Sequence, residues 1–169
     1  EEVLNSDKKD FILNKGRYKA TILMSGLIKK TKNELAMVVG SLSGEVSDHT
    51  IYLKEIEKAI RRGVKISILF LQEPNRNSLL LAELLKYKNW GKDIKFYRGN
   101  GNTNRQILEY FPKYELPVHF AVFDDDKVRV EISPNDYVGF GVINDKEYAT
   151  GISKFYKEKL ISHSTEIFR

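Results

Sequence analysis

The segment from Leu35 to Leu71 constrains this chain most. Leu35 to Val39 (LAMVV) reads as a short buried strand closed by Gly40, and the small, polar stretch Ser41 to Asp48 reads as a loop. Thr50 to Gly63 follows as a helix with Leu53, Ile56 and Ile60 on one face and Gly63 as a left-handed stop. Val64 to Leu71 is a second core strand. Strand, helix and strand at these lengths form a βαβ unit, and a right-handed crossover makes the strands parallel neighbours or near neighbours.

The rest of the chain is read around that unit. Leu13 to Lys32 spaces its apolar residues as a helix does, with Lys29, Lys30 and Lys32 at the C-terminal end where the dipole favours cations. Ser78 to Tyr87 is a leucine-rich helix, Ile94 to Tyr97 a third strand, and Asn100 to Arg105 a mobile loop at the sheet rim. Val118 to Phe123, Val128 to Ile132 and Tyr137 to Val142 are strands, the first two joined by a turn at Asp124-Asp-Asp126. Asn144 and Glu147 suggest a capping box opening a last helix, Lys146 to Leu160. The expectation is an α/β fold: a mixed, mostly parallel sheet with helices on both faces.

With 169 residues, 41% of them hydrophobic, the chain is expected to form a single domain over 1–169. It begins at Glu1 rather than methionine, so it is expected to be a piece of something longer. The absence of cysteine excludes disulfides, thiolate metal sites and a cysteine nucleophile, and a cytoplasmic location is the expectation. The longest aliphatic run, Ile66 to Leu71, falls far below the ~18 residues of a membrane span. Net charge is +5, compatible with a phosphate-bearing partner. Lys95, Arg98 and Arg105 interleave with Phe96, Tyr97, Tyr110 and Phe111, a combination able to pair phosphates and stack bases, and these three are the candidate nucleic-acid-binding residues.

Histidine is scarce. His163 lies in a polar tail, and His49 just precedes a helix. His119 differs: alternation in Val118 to Phe123 puts His119, Ala121 and Phe123 on one side and Val118, Phe120 and Val122 on the other. An imidazole in a core strand needs a partner or a task. Asp124-Asp-Asp126 with Glu131 offers acids for a divalent metal, but a solvated turn explains them as well, and no spacing fixes a coordination sphere. No metal or cofactor is expected.

The segment His119-Phe-Ala-Val-Phe-Asp-Asp-Asp126 resembles the H-x-K-x(4)-D signature of the phospholipase D superfamily. Leu53 to Phe70 is similar to that superfamily's helix, arginine-glycine-valine turn and strand, and Gly141 to Lys159 to its closing strand and helix. The resemblance implies His119 as nucleophile on phosphorus, Asp126 in the motif's last place, no metal, and a homodimer that brings two histidines together across a two-fold axis. The lysine place is Ala121, so the cation that would hold the phosphorane charge is missing, a kind of loss that typically costs ~100 to 1,000-fold in rate. The downstream phosphate-cradling element corresponds to Ser133-Pro-Asn-Asp136, with Ser133 and Asn135 as candidate phosphate ligands but the glycine absent. Lys127 and Lys65 could substitute for the missing cation, though nothing in the pattern places either beside His119.

The resemblance therefore implies a catalytically degenerate, dimeric phospholipase D-like domain that binds, regulates or assembles, toward nucleic acid or a phosphorylated ligand. A working phosphodiesterase or nuclease with a substituted cation is the second reading. A generic α/β protein-interaction domain is the third.

Overall fold

A computed structural model describes residues 9–42, 44–133 and 135–169. The βαβ unit extends to three parallel strands: β2 (Glu34–Val39), α2 (Thr50–Arg61), β3 (Lys65–Phe70), α3 (Leu79–Asn89) and β4 (Ile94–Arg98). Before it come β1 (Asp10–Asn14) and α1 (Arg17–Lys30). After it come α4 (Gly101–Tyr110), β5 (His119–Phe123), β6 (Lys127–Ser133), β7 (Val138–Ile143), α5 (Lys146–Phe155) and β8 (Thr165–Ile167). The eight strands form one sheet in the order β1-β7-β6-β5-β2-β3-β4-β8.

Among the described residues parallel pairing is confined to β2–β3 and β3–β4; the other five ladders are antiparallel, which corrects the expectation of a mostly parallel sheet. The reason is local. A parallel connection needs a crossover of a dozen residues or more, whereas the short turns between β5, β6 and β7 can join only antiparallel neighbours. Strand alternation then sorts the core. Leu35, Met37, Ile66, Ile68, Phe70 and Phe123 face α1, α2 and α3. Ala36, Val38, Leu69, Phe120, Val122 and Val130 face α5 on the opposite side, with Ile107 of α4 in the same cluster.

Two local readings change. Leu13 belongs to a strand, not to the first helix: Gly16, at φ 86°, separates β1 from α1, and β1 pairs with β7 in the register Leu13↔Phe140. The Asn100–Arg105 stretch opens a helix rather than a loop. The Asn100 side chain accepts from the backbone N–H groups of Asn102 and Thr103, and the Thr103 hydroxyl contacts the Asn100 backbone N–H, a reciprocal cap. The last helix is capped by Asp145, which accepts from the Tyr148 N–H, in place of Asn144. It continues through a π-helical turn at Tyr156–Leu160. No helix among the described residues is long and apolar enough to cross a membrane.

Candidate functional site

A cleft of about 630 Å³ opens where β2 and β3 end and β5 begins. Chain direction puts these ends together: β2 and β3 run parallel, and β5 runs against β2 in the register Val38↔Phe120, so His119 enters the sheet beside the end of β2. Gly40 follows β2 immediately. A Cβ there would lie 3.3 Å from both Cε1 and Nε2 of His119, so the bare glycine backbone is what lets the imidazole sit against it. The His119 side chain is 24% exposed and lines the cleft.

The turn at Asp124–Asp126 fixes what stands next to the imidazole. It joins β5 to β6 so that Phe123 pairs with Lys127, Ala121 with Arg129, and His119 with Glu131. Directly opposed residues share a face, with Cβ atoms roughly 4.5–5.5 Å apart. The pairing therefore carries Arg129 across from the alanine and Glu131 across from the histidine. His119 Nδ1 lies 3.3 Å from Glu131 Oε2, Arg129 Nη2 donates to Glu131 Oε1 at 2.9 Å, and Arg129 Nε donates to Asn14 Oδ1 at 3.4 Å. Asn14 in turn donates to the Tyr137 carbonyl at 2.8 Å. Gly139 keeps this row open, since a Cβ there would lie 2.5 Å from the Val130 carbonyl oxygen and 3.3 Å from Arg129 Nη2.

Burial alone pushes the Glu131 carboxyl up, but the hydrogen bond from His119 and the Arg129 guanidinium outweigh it and hold the group below the ordinary carboxylate range. Glu131 is thus an ionised carboxylate between an imidazole and a guanidinium. Burial also holds the Tyr52 phenol protonated, within reach of the same two charges, with its hydroxyl on the Met37 sulfur at 3.5 Å.

The residues singled out in the sequence are not all brought together. Asp126 sits in the β5–β6 turn, at the other end of β5 from His119, where it accepts from Lys127 at 2.6 Å; that bond also removes Lys127 as a substitute cation. Lys65 opens β3 at the end away from the cleft, beside Glu34. Asp124 accepts from the backbone N–H groups of Lys32, Asn33 and Glu34, so the acidic turn secures the entry to β2, with Glu131 far along the hairpin. Asn135 lines the cleft, whereas the Ser133 hydroxyl donates to Asp136 at 3.0 Å; Pro134 between them lies outside the described residues.

Lys95 is exposed, Arg98 pairs with Glu73 at 2.9 Å, and Arg105 reaches Glu109 at 3.8 Å. Phe96 and Phe111 are core residues and offer no stacking surface to a base. His49 caps α2 by accepting from the Ile51 N–H, and His163 is exposed against Ser162 and Lys159.

Sequence reading missed Arg129, Glu131 as its partner, and Asn14. The signal was present for the first two. A three-residue turn between Phe123 and Lys127 dictates the register, and counting back from it sets Arg129 opposite Ala121.

No protein-family model matches the sequence, and no curated protein matches it. Solved structures do. The phospholipase D family member Nuc from Salmonella typhimurium superposes with a TM-score of 0.67 at 13% identity, over 94% of this chain and 98% of that one. NucT from Helicobacter pylori gives 0.64 at 16% identity, over 94% and 99%. TrmBL2, an archaeal chromatin protein described with a novel mode of DNA binding, gives 0.59 at 17% identity over 89% of this chain; the chain spans 52% of its length. The backbone that sets His119 at the mouth of this cleft is a phospholipase D-like α/β fold.

Proposed function

We propose that this is a phospholipase D-like domain that binds without cleaving and serves as a dimeric regulatory or assembly module. One observation carries the reading. The lysine place holds Ala121, and the cation directly across the ladder from it, Arg129, is held by the Glu131 carboxylate, which also holds His119. Phosphoryl transfer adds negative charge in the transition state, and a fixed carboxylate at that point opposes what a free ammonium would stabilise.

The partner favoured is nucleic acid. The likeness to a DNA-binding chromatin protein and the net charge of +5 support this, and the exposed Lys95 and Arg105 are the groups proposed to meet phosphate outside the cleft. Self-association through the cleft face completes the reading; Leu116, 73% exposed at the cleft rim, is the apolar contact it would cover.

Fluorescence anisotropy of labelled duplex DNA tests this. The expected result is binding that weakens steeply with salt, weakens further in a Lys95→Glu/Arg105→Glu variant, and leaves the DNA intact. Salt-independent binding, no binding, or cleaved DNA would each overturn it.

A second reading has one observation in its favour: the Ala121↔Arg129 register puts a guanidinium where a substitute cation would be wanted. It requires turnover that depends on both His119 and Arg129.

A further inference from the structure

The charges that line the cleft do not suit an anion. Among its described lining residues Arg129 is the sole lysine or arginine, against two carboxylates, Glu45 and Glu131. The Arg129 and Glu131 side chains are 7% and 14% exposed, so solvent and salt screen their pairing little. Any phosphate that approached the guanidinium would meet Glu131 beside it. Glu45 stands at the mouth, where it accepts from Arg17 at 3.1 Å and from the Tyr137 hydroxyl at 3.1 Å; Arg17 matches its charge, so the exclusion of an anion falls to Glu131.

Uncharged hydrogen-bonding capacity is plentiful by comparison. Ser41, Gln72, Asn104 and Asn135 line the same space, and Asn104 Oδ1 is buried with no hydrogen-bond partner. A buried acceptor left open favours a ligand that brings a donor. Met24, Met37, Leu71 and Phe120 supply an apolar wall, and the volume falls within the range usual for small-molecule sites.

We propose that the cleft receives an uncharged, hydrogen-bonding small molecule and turns phosphate away, with Glu131 the residue that sets this selectivity. The inference rests on the reading of the domain as one that binds without cleaving. The two fail separately: hydrolysis would sink that reading, whereas the inference falls on anion binding alone.

Inorganic phosphate is the first probe, titrated at constant ionic strength and neutral pH into the whole chain and followed by NMR shifts of cleft residues. Wild type is expected to show no saturable binding at millimolar phosphate. Glu131→Gln leaves the guanidinium uncompensated and is expected to bind at least about tenfold tighter, an effect lost in Glu131→Gln/Arg129→Gln. Should Glu131→Gln not fold, Ala121→Lys supplies the positive charge from the opposing strand and is expected to bind phosphate too.

Saturable phosphate binding by wild type overturns the proposal, as does failure of every folded variant to gain it. The second probe is a fragment library divided by charge. Uncharged fragments are expected to make up the hits that shift cleft resonances; hits dominated by charged fragments overturn the proposal.

Discussion

Arg129 stands directly across the β5–β6 ladder from Ala121, and Glu131, two residues further along the same face, joins its guanidinium to the His119 imidazole. A motif read along one strand misses this, because the group that alters the site's charge arrives from the next strand.

Removing one member of the buried pair should cost more than removing both. Arg129→Ala leaves Glu131 buried without its cation and is expected to lower stability by about 3–5 kcal/mol, whereas Arg129→Met/Glu131→Leu should cost clearly less. Urea denaturation of Arg129→Ala, of Arg129→Met and Glu131→Leu singly, and of the double variant checks this, and the coupling energy of the last three should be large because the side chains touch.

The same carboxylate sets an acid limit. Its folded-state pKa lies below the ordinary 4.5, so it binds fewer protons folded than unfolded. Its contribution is fully present above about pH 4.5 and is lost as pH falls through the depressed folded value. Stability measured from pH 6 downward should therefore fall less steeply in Glu131→Gln than in wild type. Equal slopes would show that Glu131 carries no such linkage.

Ala121→Lys would place an ammonium opposite a guanidinium. Like charges directly across a ladder repel, so the variant is expected to melt below wild type in phosphate-free buffer and to recover part of the loss when phosphate is added. Thermal melts with and without phosphate read this out, with wild type unmoved by the anion.

How much of this was legible depends on how far apart the cooperating residues lie. The Leu35–Leu71 unit was readable because its signals are local: an apolar run, an amphipathic helix, and Gly63 at φ 87° after it. Strand β1 was hidden because Asp10–Asn14 is short and its partner β7 lies over a hundred residues away. The helix α4 was hidden by its own cap, since the Asn-Gly-Asn run that suggests a loop supplies the residues that start it. At the site, His119 was legible as a strand histidine on the Ala121 face. Asn14 was not, because only the folding of β1 onto β7 brings it to Arg129.

The acidic turn makes a structural prediction. Asp124 takes a positive φ of 54° and gathers three backbone N–H groups at the start of β2. Each hydrogen bond to a charged acceptor contributes roughly 1.5–3 kcal/mol, and Asp124→Ala, which removes three, is expected to lose at least about that much. Asp125→Ala, on the neighbouring residue, serves as the control in chemical denaturation and should fall well short of it.

The central claim is that this fold presents its histidine in a setting unable to turn over a phosphodiester. The direct measurement is hydrolysis of bis(p-nitrophenyl) phosphate by wild type and by His119→Ala at equal concentration. The account predicts no difference between them above the uncatalysed background. Wild-type turnover abolished by His119→Ala would contradict it and establish the domain as an enzyme.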